Sequence, residues 1–212
     1  MINRVLAKLL NEGFPVPVAL TIWGLSVFTA LGYIAHWRYQ AGVVNQPPTL
    51  TEVQLPFLAK SDRFQLVMAI HPKCPCSRAS MGELTKIMSR FPMGLDCVVL
   101  VYRPKSADTS WTDTDLVHSA EQLPGTKIVE DLDGEYAQRL GMSTSGSVIL
   151  YSPDGNPQFY GGITAGRSHH GDNIGSDSIR AILTGNVAIE RCSPVFGCPI
   201  HAEPLSSNGR AI

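Results

Sequence analysis

Apolar residues fall into two regimes along this chain. Residues 16–35 form twenty consecutive positions without a charge, including Leu20, Ile22, Trp23, Leu25, Val27, Phe28, Leu31, Tyr33 and Ile34. That is the length a helix needs to cross a hydrocarbon core of about 30 Å. A cleaved signal peptide has a shorter apolar region of about 7–15 residues and a small-residue cleavage site. Here Ala35-His36-Trp37-Arg38-Tyr39 reads instead as an interfacial anchor, so the pattern predicts an uncleaved transmembrane helix over 16–35. Residues 36–58 contain Gln46-Pro47-Pro48-Thr49 and little periodicity, which predicts a spacer.

From residue 59 the apolar positions come in short runs separated by amphipathic stretches. Residues 65–70 and 98–102 are continuous apolar runs, each suited to a strand buried on both faces. Met81, Leu84, Ile87, Met88 and Phe91 recur at helical spacing within 78–91. Short helices are expected over 112–122 and 133–140, around a small strand at 127–129. Residues 147–151 and 157–160 flank Ser152-Pro153-Asp154-Gly155-Asn156, a hairpin signal. A closing helix over 174–183 ends at Gly185. The organisation expected is a short cytoplasmic N-terminus (1–15), the membrane helix, the spacer, one α/β domain over 59–186, and a cysteine-containing tail over 187–212.

A net charge of −1 with 44% apolar residues excludes a polyelectrolyte binder and argues against nucleic acid as a partner. Arg4 and Lys8 before the span, offset by Glu12, stand against Arg38 after it. This asymmetry favours a cytoplasmic N-terminus and a periplasmic or extracellular domain, where disulfides persist. Five cysteines leave at least one unpaired within a monomer. Cys97, inside an apolar run, reads as a buried strand residue.

The candidate chemistry is Cys74-Pro75-Cys76, between a strand and an amphipathic helix. Unpaired backbone N–H groups and the positive end of the helix dipole stabilise a thiolate there, with Lys73 as a further nearby charge. The antiparallel strand starting near Ser145-Gly146-Ser147 should begin at the same sheet edge. The hairpin should then return residues 161–173, with Arg167, His169 and His170, toward the cysteines for charge, proton transfer, substrate binding or metal ligation. The alternative for that loop is an irregular surface segment capping the last helix through Asn173 or Ser176. Cys192 and Cys198 lie beyond that helix, and the chain from Gly185 to Cys198 can span about 43 Å, ample for a return to Cys74. Either Cys198 serves the motif as a resolving or ligand thiol, or Cys192 and Cys198 staple each other.

The order strand, helix, strand, helical connection, hairpin, helix resembles the thioredoxin fold. Within it, His71-Pro-Lys-Cys-Pro-Cys-Ser-Arg, Ser145-Gly-Ser-Val-Ile-Leu-Tyr, Gly161-Gly-Ile-Thr, Gly171-Asp-Asn and Pro194-Val-Phe-Gly-Cys-Pro resemble the membrane-anchored family labelled RedB. The resemblance implies a fold and a location more than a reaction. Two departures from the thioredoxin pattern stand out: a single residue separates Cys74 from Cys76, with Ser77 where the second cysteine usually stands, and Gly146 replaces the usual cis-proline. A Cys74–Cys76 disulfide would close a very short loop and be easily reduced.

Three functions compete at this level. The first is a membrane-anchored thiol–disulfide oxidoreductase with Cys74, Cys76 and Cys198 as catalytic thiols, no cofactor, and protein thiols or a periplasmic redox partner as its counterpart. The second is a copper or zinc carrier using His71, Cys74, Cys76 and Cys198, or His169. The third is a non-catalytic docking module that presents residues 161–173. Neither a nucleophile elbow nor a phosphate-binding loop is present to support a hydrolase or nucleotide reading.

Overall fold

The structure is a computed structural model that describes residues 15–200. The expected cytoplasmic N-terminus with Arg4 and Lys8, and the end of the tail, lie outside the described residues. Two compact units are distinguished, one ending at Tyr39 and one beginning at Gln40.

In the first unit, α1 (Val16–Arg38) runs 23 residues, three past the expected end. At 1.5 Å per residue it is about 34 Å long, sufficient for a bilayer core. Three of its hydroxyls bond within the helix: Thr21 donates to Pro17 O, Ser26 to Trp23 O and Thr29 to Leu25 O.

The second unit contains β1 (Phe64–Ile70), α2 (Pro75–Arg90), β2 (Leu95–Arg103), a 3-10 turn at Thr109–Trp111, α3 (Asp115–Glu121) and β3 (Thr126–Leu132). It continues through α4 (Glu135–Arg139), β4 (Ser147–Tyr151), β5 (Pro157–Gly162), α5 (Ile174–Leu183) and β6 (Cys192–Ser193). The sheet order is β3-β2-β1-β4-β5-β6. β1, β2 and β3 are parallel, β4 runs antiparallel to β1, and β5 antiparallel to β4. β6, a strand the hydropathy pattern does not show, pairs parallel with β5 through Tyr160 and Cys192.

Continuous burial along β1 follows from cover on both faces. Leu66, Met68 and Ile70 pack with Met81, Leu84, Ile87 and Met88 of α2, Leu116 and Val117 of α3, and Ile179 of α5. Val67 and Ala69 face the other side, where α4 contributes Ala137 and the partly buried Tyr136 beside Leu140 and Met142. Leu50, Val53, Leu55 and Leu58 complete that second face.

The expected spacer is therefore corrected. Residues 40–58 belong to the domain, because a five-residue helix is too short to cover an apolar sheet face alone. Backbone and side-chain bonds fix this segment: Leu50 N–H donates to Gly155 O at 2.9 Å, and the Tyr151 hydroxyl to Pro48 O at 3.1 Å.

Candidate functional site

β1 ends at Ile70, and the chain turns through His71–Lys73 into α2, with Cys74 as its N-cap and Pro75 and Cys76 in the first turn. No side chain caps this helix. Pro75 lacks the N–H that the first turn would leave unpaired, and the Ser77 N–H is directed at Cys74. Ala69 pairs with Ser147 across β1 and β4, which brings residues 143–146 alongside the motif.

Gly146 occupies this junction at φ +89°, a left-handed conformation that favours glycine. A Cβ there would lie 2.6 Å from Ser80 Oγ, so a side chain at position 146 would have to displace the buried Ser80 hydroxyl as well as adopt a strained backbone. No cis peptide bond occurs among the described residues.

The tail returns along this segment. Past β6, Ser145 N–H donates to Cys198 O at 2.8 Å and Ile200 N–H to Ser143 O at 2.9 Å, with an antiparallel bridge between Thr144 and Pro199. Gly197 permits the approach, since a Cβ there would sit 1.8 Å from Ser145 O. Arg167 Nη1 donates to Gly197 O at 2.7 Å, tying the loop after β5 to the same strap.

This pairing sets Cys198 Sγ 3.1 Å from Cys74 Sγ. Cys192 stays exposed on β6, and all five thiols are free. The Cys192–Cys198 staple is thus not the arrangement seen, because the strap turns after β6 to pair with residues 143–145.

The electrostatics divide the three thiols. Hydrogen bonds from the Cys76 thiol, and then from Cys198 and the Ser77 N–H, hold Cys74 well below an ordinary thiol, to about 4, against the opposing effect of burial. Cys76 is pushed up by its bond to the Cys74 thiolate and by burial. Cys198 is raised to about 11 by burial first and by the neighbouring Cys74, while Arg167 opposes. Cys97 is fully buried and raised to about 12. Of the three thiols, Cys74 is thus the one favoured to ionise.

Other expected residues divide between near and far. The loop of residues 161–173 does reach the motif, but through Ser168, whose hydroxyl lies 3.6 Å from Cys76 Sγ. Ser168 adopts φ +55°. His169 and His170 are exposed, and the His170 ring lies against Gly82 of α2. The same loop is anchored by Gly171 N–H to Glu83 Oε1 at 2.9 Å, and it also caps α5 through Asn173, which accepts from Ser176 N–H at 2.8 Å.

Lys73 places its ammonium 3.7 Å from the Trp111 ring centroid, so its charge is directed to an aromatic face. His71 stacks on Tyr102 at 5.4 Å, and burial lowers its basicity. Its Nδ1 accepts from Lys73 N–H at 3.2 Å. Among the described residues, no group of three or more His, Cys, Asp or Glu stands in an arrangement able to hold a metal ion. The set His71, Cys74, Cys76 and Cys198 is thus not assembled as a ligand cage.

Sequence reasoning missed a pair of fully buried serines. Ser77 Oγ and Ser145 Oγ lie 2.5 Å apart. In the sequence Ser77 stands where a second cysteine would be, and nothing there singles out Ser145 as its partner.

No model of a known protein family matches the chain, and no curated protein matches it. Solved structures do. An uncharacterized conserved protein from Geobacillus kaustophilus is 20% identical with a TM-score of 0.57, covering 80% of this chain and 94% of its own. A hypothetical protein from Sinorhizobium meliloti 1021 is 19% identical at a TM-score of 0.55, covering 77% and 91%. A secreted Mycobacterium tuberculosis disulfide oxidoreductase, described as homologous to E. coli DsbE, matches at 15% identity and a TM-score of 0.44, over 59% and 84%. At such identities the likeness speaks to the fold. The chain has an α/β thioredoxin-like fold, a mixed sheet with flanking helices, preceded by an apolar N-terminal helix.

Proposed function

We propose that this chain is a membrane-anchored, extracytoplasmic thiol–disulfide oxidoreductase in which Cys74 is the nucleophile and Cys198 the resolving thiol. The observation that carries this reading is the 3.1 Å contact between a thiolate-stabilised Cys74 and a thiol presented by the tail. The RedB-like motifs of the sequence agree with the anchored location that this reading assigns.

In the reaction, the Cys74 thiolate attacks one sulfur of a partner disulfide. A Cys74–partner mixed disulfide forms, and the other partner sulfur leaves as a thiolate that takes up a proton. Cys74 then carries no charge, so the hydrogen bond and negative charge that raised the Cys198 pKa are gone while Arg167 still favours ionisation. Cys198 loses its proton and attacks Cys74 Sγ, expelling the second partner thiolate. The balance is one partner disulfide reduced to two thiols, with two electrons supplied by Cys74 and Cys198 as they become a disulfide. Run in reverse, the same steps oxidise a partner dithiol. Cys76 donates a hydrogen bond to the Cys74 thiolate, and Ser168 contacts it in turn. Cys74 is 5% exposed, so a partner reaches it when the strap around Cys198 shifts.

Exchange with a model protein disulfide tests the assignment. Cys74→Ser should abolish exchange. Cys198→Ser should accumulate a mixed disulfide at Cys74, visible as a mass adduct that thiol removes. Full activity in Cys74→Ser would overturn the reading. A metal bound near one equivalent and released by Cys198→Ser, without exchange activity, would replace it with the carrier function.

A further inference from the structure

Ser77 and Ser145 are fully buried, so their hydroxyls must find hydrogen-bond partners within the protein. Three contacts close on one another. His71 N–H donates to Ser145 Oγ at 2.9 Å, Ser77 O–H donates to His71 O at 3.0 Å, and the two serine oxygens lie 2.5 Å apart. Each hydroxyl has a single proton. That of Ser77 is committed to His71 O, so Ser145 O–H donates to Ser77 Oγ. The result is a closed ring running from His71 N–H through Ser145 and Ser77 to His71 C=O, in which each bond polarises the next.

The ring joins the segments that carry the two thiols. His71 O also accepts from Cys74 N–H at 3.0 Å, which fixes the turn carrying Cys74. The Ser145 backbone N–H holds Cys198 O at 2.8 Å, and its carbonyl oxygen lies against Gly197. One residue thus grips the Cys74 turn through its side chain and the Cys198 strap through its main chain. The sheet ties Gly146 N–H to Ala69 O at 2.8 Å, and the ring extends that register beyond the end of β1.

We infer that Ser145, acting through Ser77, is a positioning residue that sets the separation of Cys74 and Cys198. It touches neither sulfur in the proposed reaction. The inference rests on the thiol-exchange reading above and adds to it the device that aligns the resolving step.

The test equilibrates the full-length protein in detergent with mixtures of reduced and oxidised glutathione. It reads the fraction of Cys74–Cys198 disulfide by peptide mass, alongside thermal melting. Two reduced glutathiones form for each disulfide made, so the fraction gives an equilibrium constant. Ser145→Ala and Ser77→Ala each remove two of the ring's three hydrogen bonds and should each lower that constant about 5- to 150-fold, the range for losing two buried neutral hydrogen bonds. Because the two share the bond between their oxygens, the double variant removes three bonds rather than four and should lose less than the sum of the single changes. Lower melting temperatures with unchanged constants would show a merely structural role and overturn the inference, as would additive losses. Should Ser145→Ala fail to fold, the constant measured for Ser77→Ala decides. Absence of any Cys74–Cys198 disulfide in the unsubstituted protein would instead defeat the underlying function.

Discussion

Replacing Cys198 by Ala removes one of the hydrogen bonds that stabilise the Cys74 thiolate. A hydrogen bond to a charged group contributes about 1.5–3 kcal/mol, and one pKa unit corresponds to about 1.4 kcal/mol. A thiol is a weak donor, which favours the low end of that range. The Cys74 pKa should therefore rise by about one unit from its value of about 4. It should stay below an ordinary thiol, because Cys76 and the Ser77 N–H still donate. Cys76→Ala should raise it further, since that bond makes the largest contribution. The assay follows alkylation of the Cys74 peptide by mass spectrometry across pH and reads the midpoint rather than the plateau, which also reports how often the strap opens. A midpoint unchanged in both variants, or a larger shift in Cys198→Ala than in Cys76→Ala, would refute this account of the thiolate.

Two further outcomes follow from the packing. Removing residues 1–39 should leave a soluble, folded unit, whereas removing 1–58 should not: the latter takes Leu50, Val53, Leu55 and Leu58, whose burial contributes together about 6–12 kcal/mol, comparable to the whole stability of a domain. Cooperative melting of the shorter fragment with an unchanged midpoint would contradict the second core face. The reduced protein should also lose stability as pH rises from about 8.5 toward 12, because Cys97 and Cys198 stay protonated in the fold, with values raised to about 12 and 11, while the unfolded chain ionises. Cys97→Val should lessen that alkaline loss in melting curves, and an unchanged alkaline slope would count against burial as its cause. Cys74 has the opposite sign, stabilising the fold above about 8.5 and losing that contribution as pH falls toward 4.

The strands and main helices were legible because both faces of the central strands are apolar and the α2 face recurs at helical spacing. The helix over 174–183 matches α5 at both ends. Residues 40–58 were misread because Leu50, Val53, Leu55 and Leu58 follow neither a period of two nor of 3.6, being an irregular cover rather than an element. The two-residue β6 is too short to leave a pattern. At the site, Cys74 and Cys76 announced themselves by their place at a helix start. Chain length allowed Cys198 to return but did not require it; the strap's pairing with residues 143–145 brings it in. The serine ring joins residues 68 apart, a relation that exists only once the sheet has formed. Ser168 escaped notice beside His169 and His170 because a histidine suggests chemistry more readily than a serine does.

The most direct test of the central claim is a disulfide map of the unit from Gln40 onward, mildly oxidised and digested without reduction. The account predicts a crosslink between the peptides containing Cys74 and Cys198, with Cys97 and Cys192 free. A Cys192–Cys198 crosslink with Cys74 left free would contradict it.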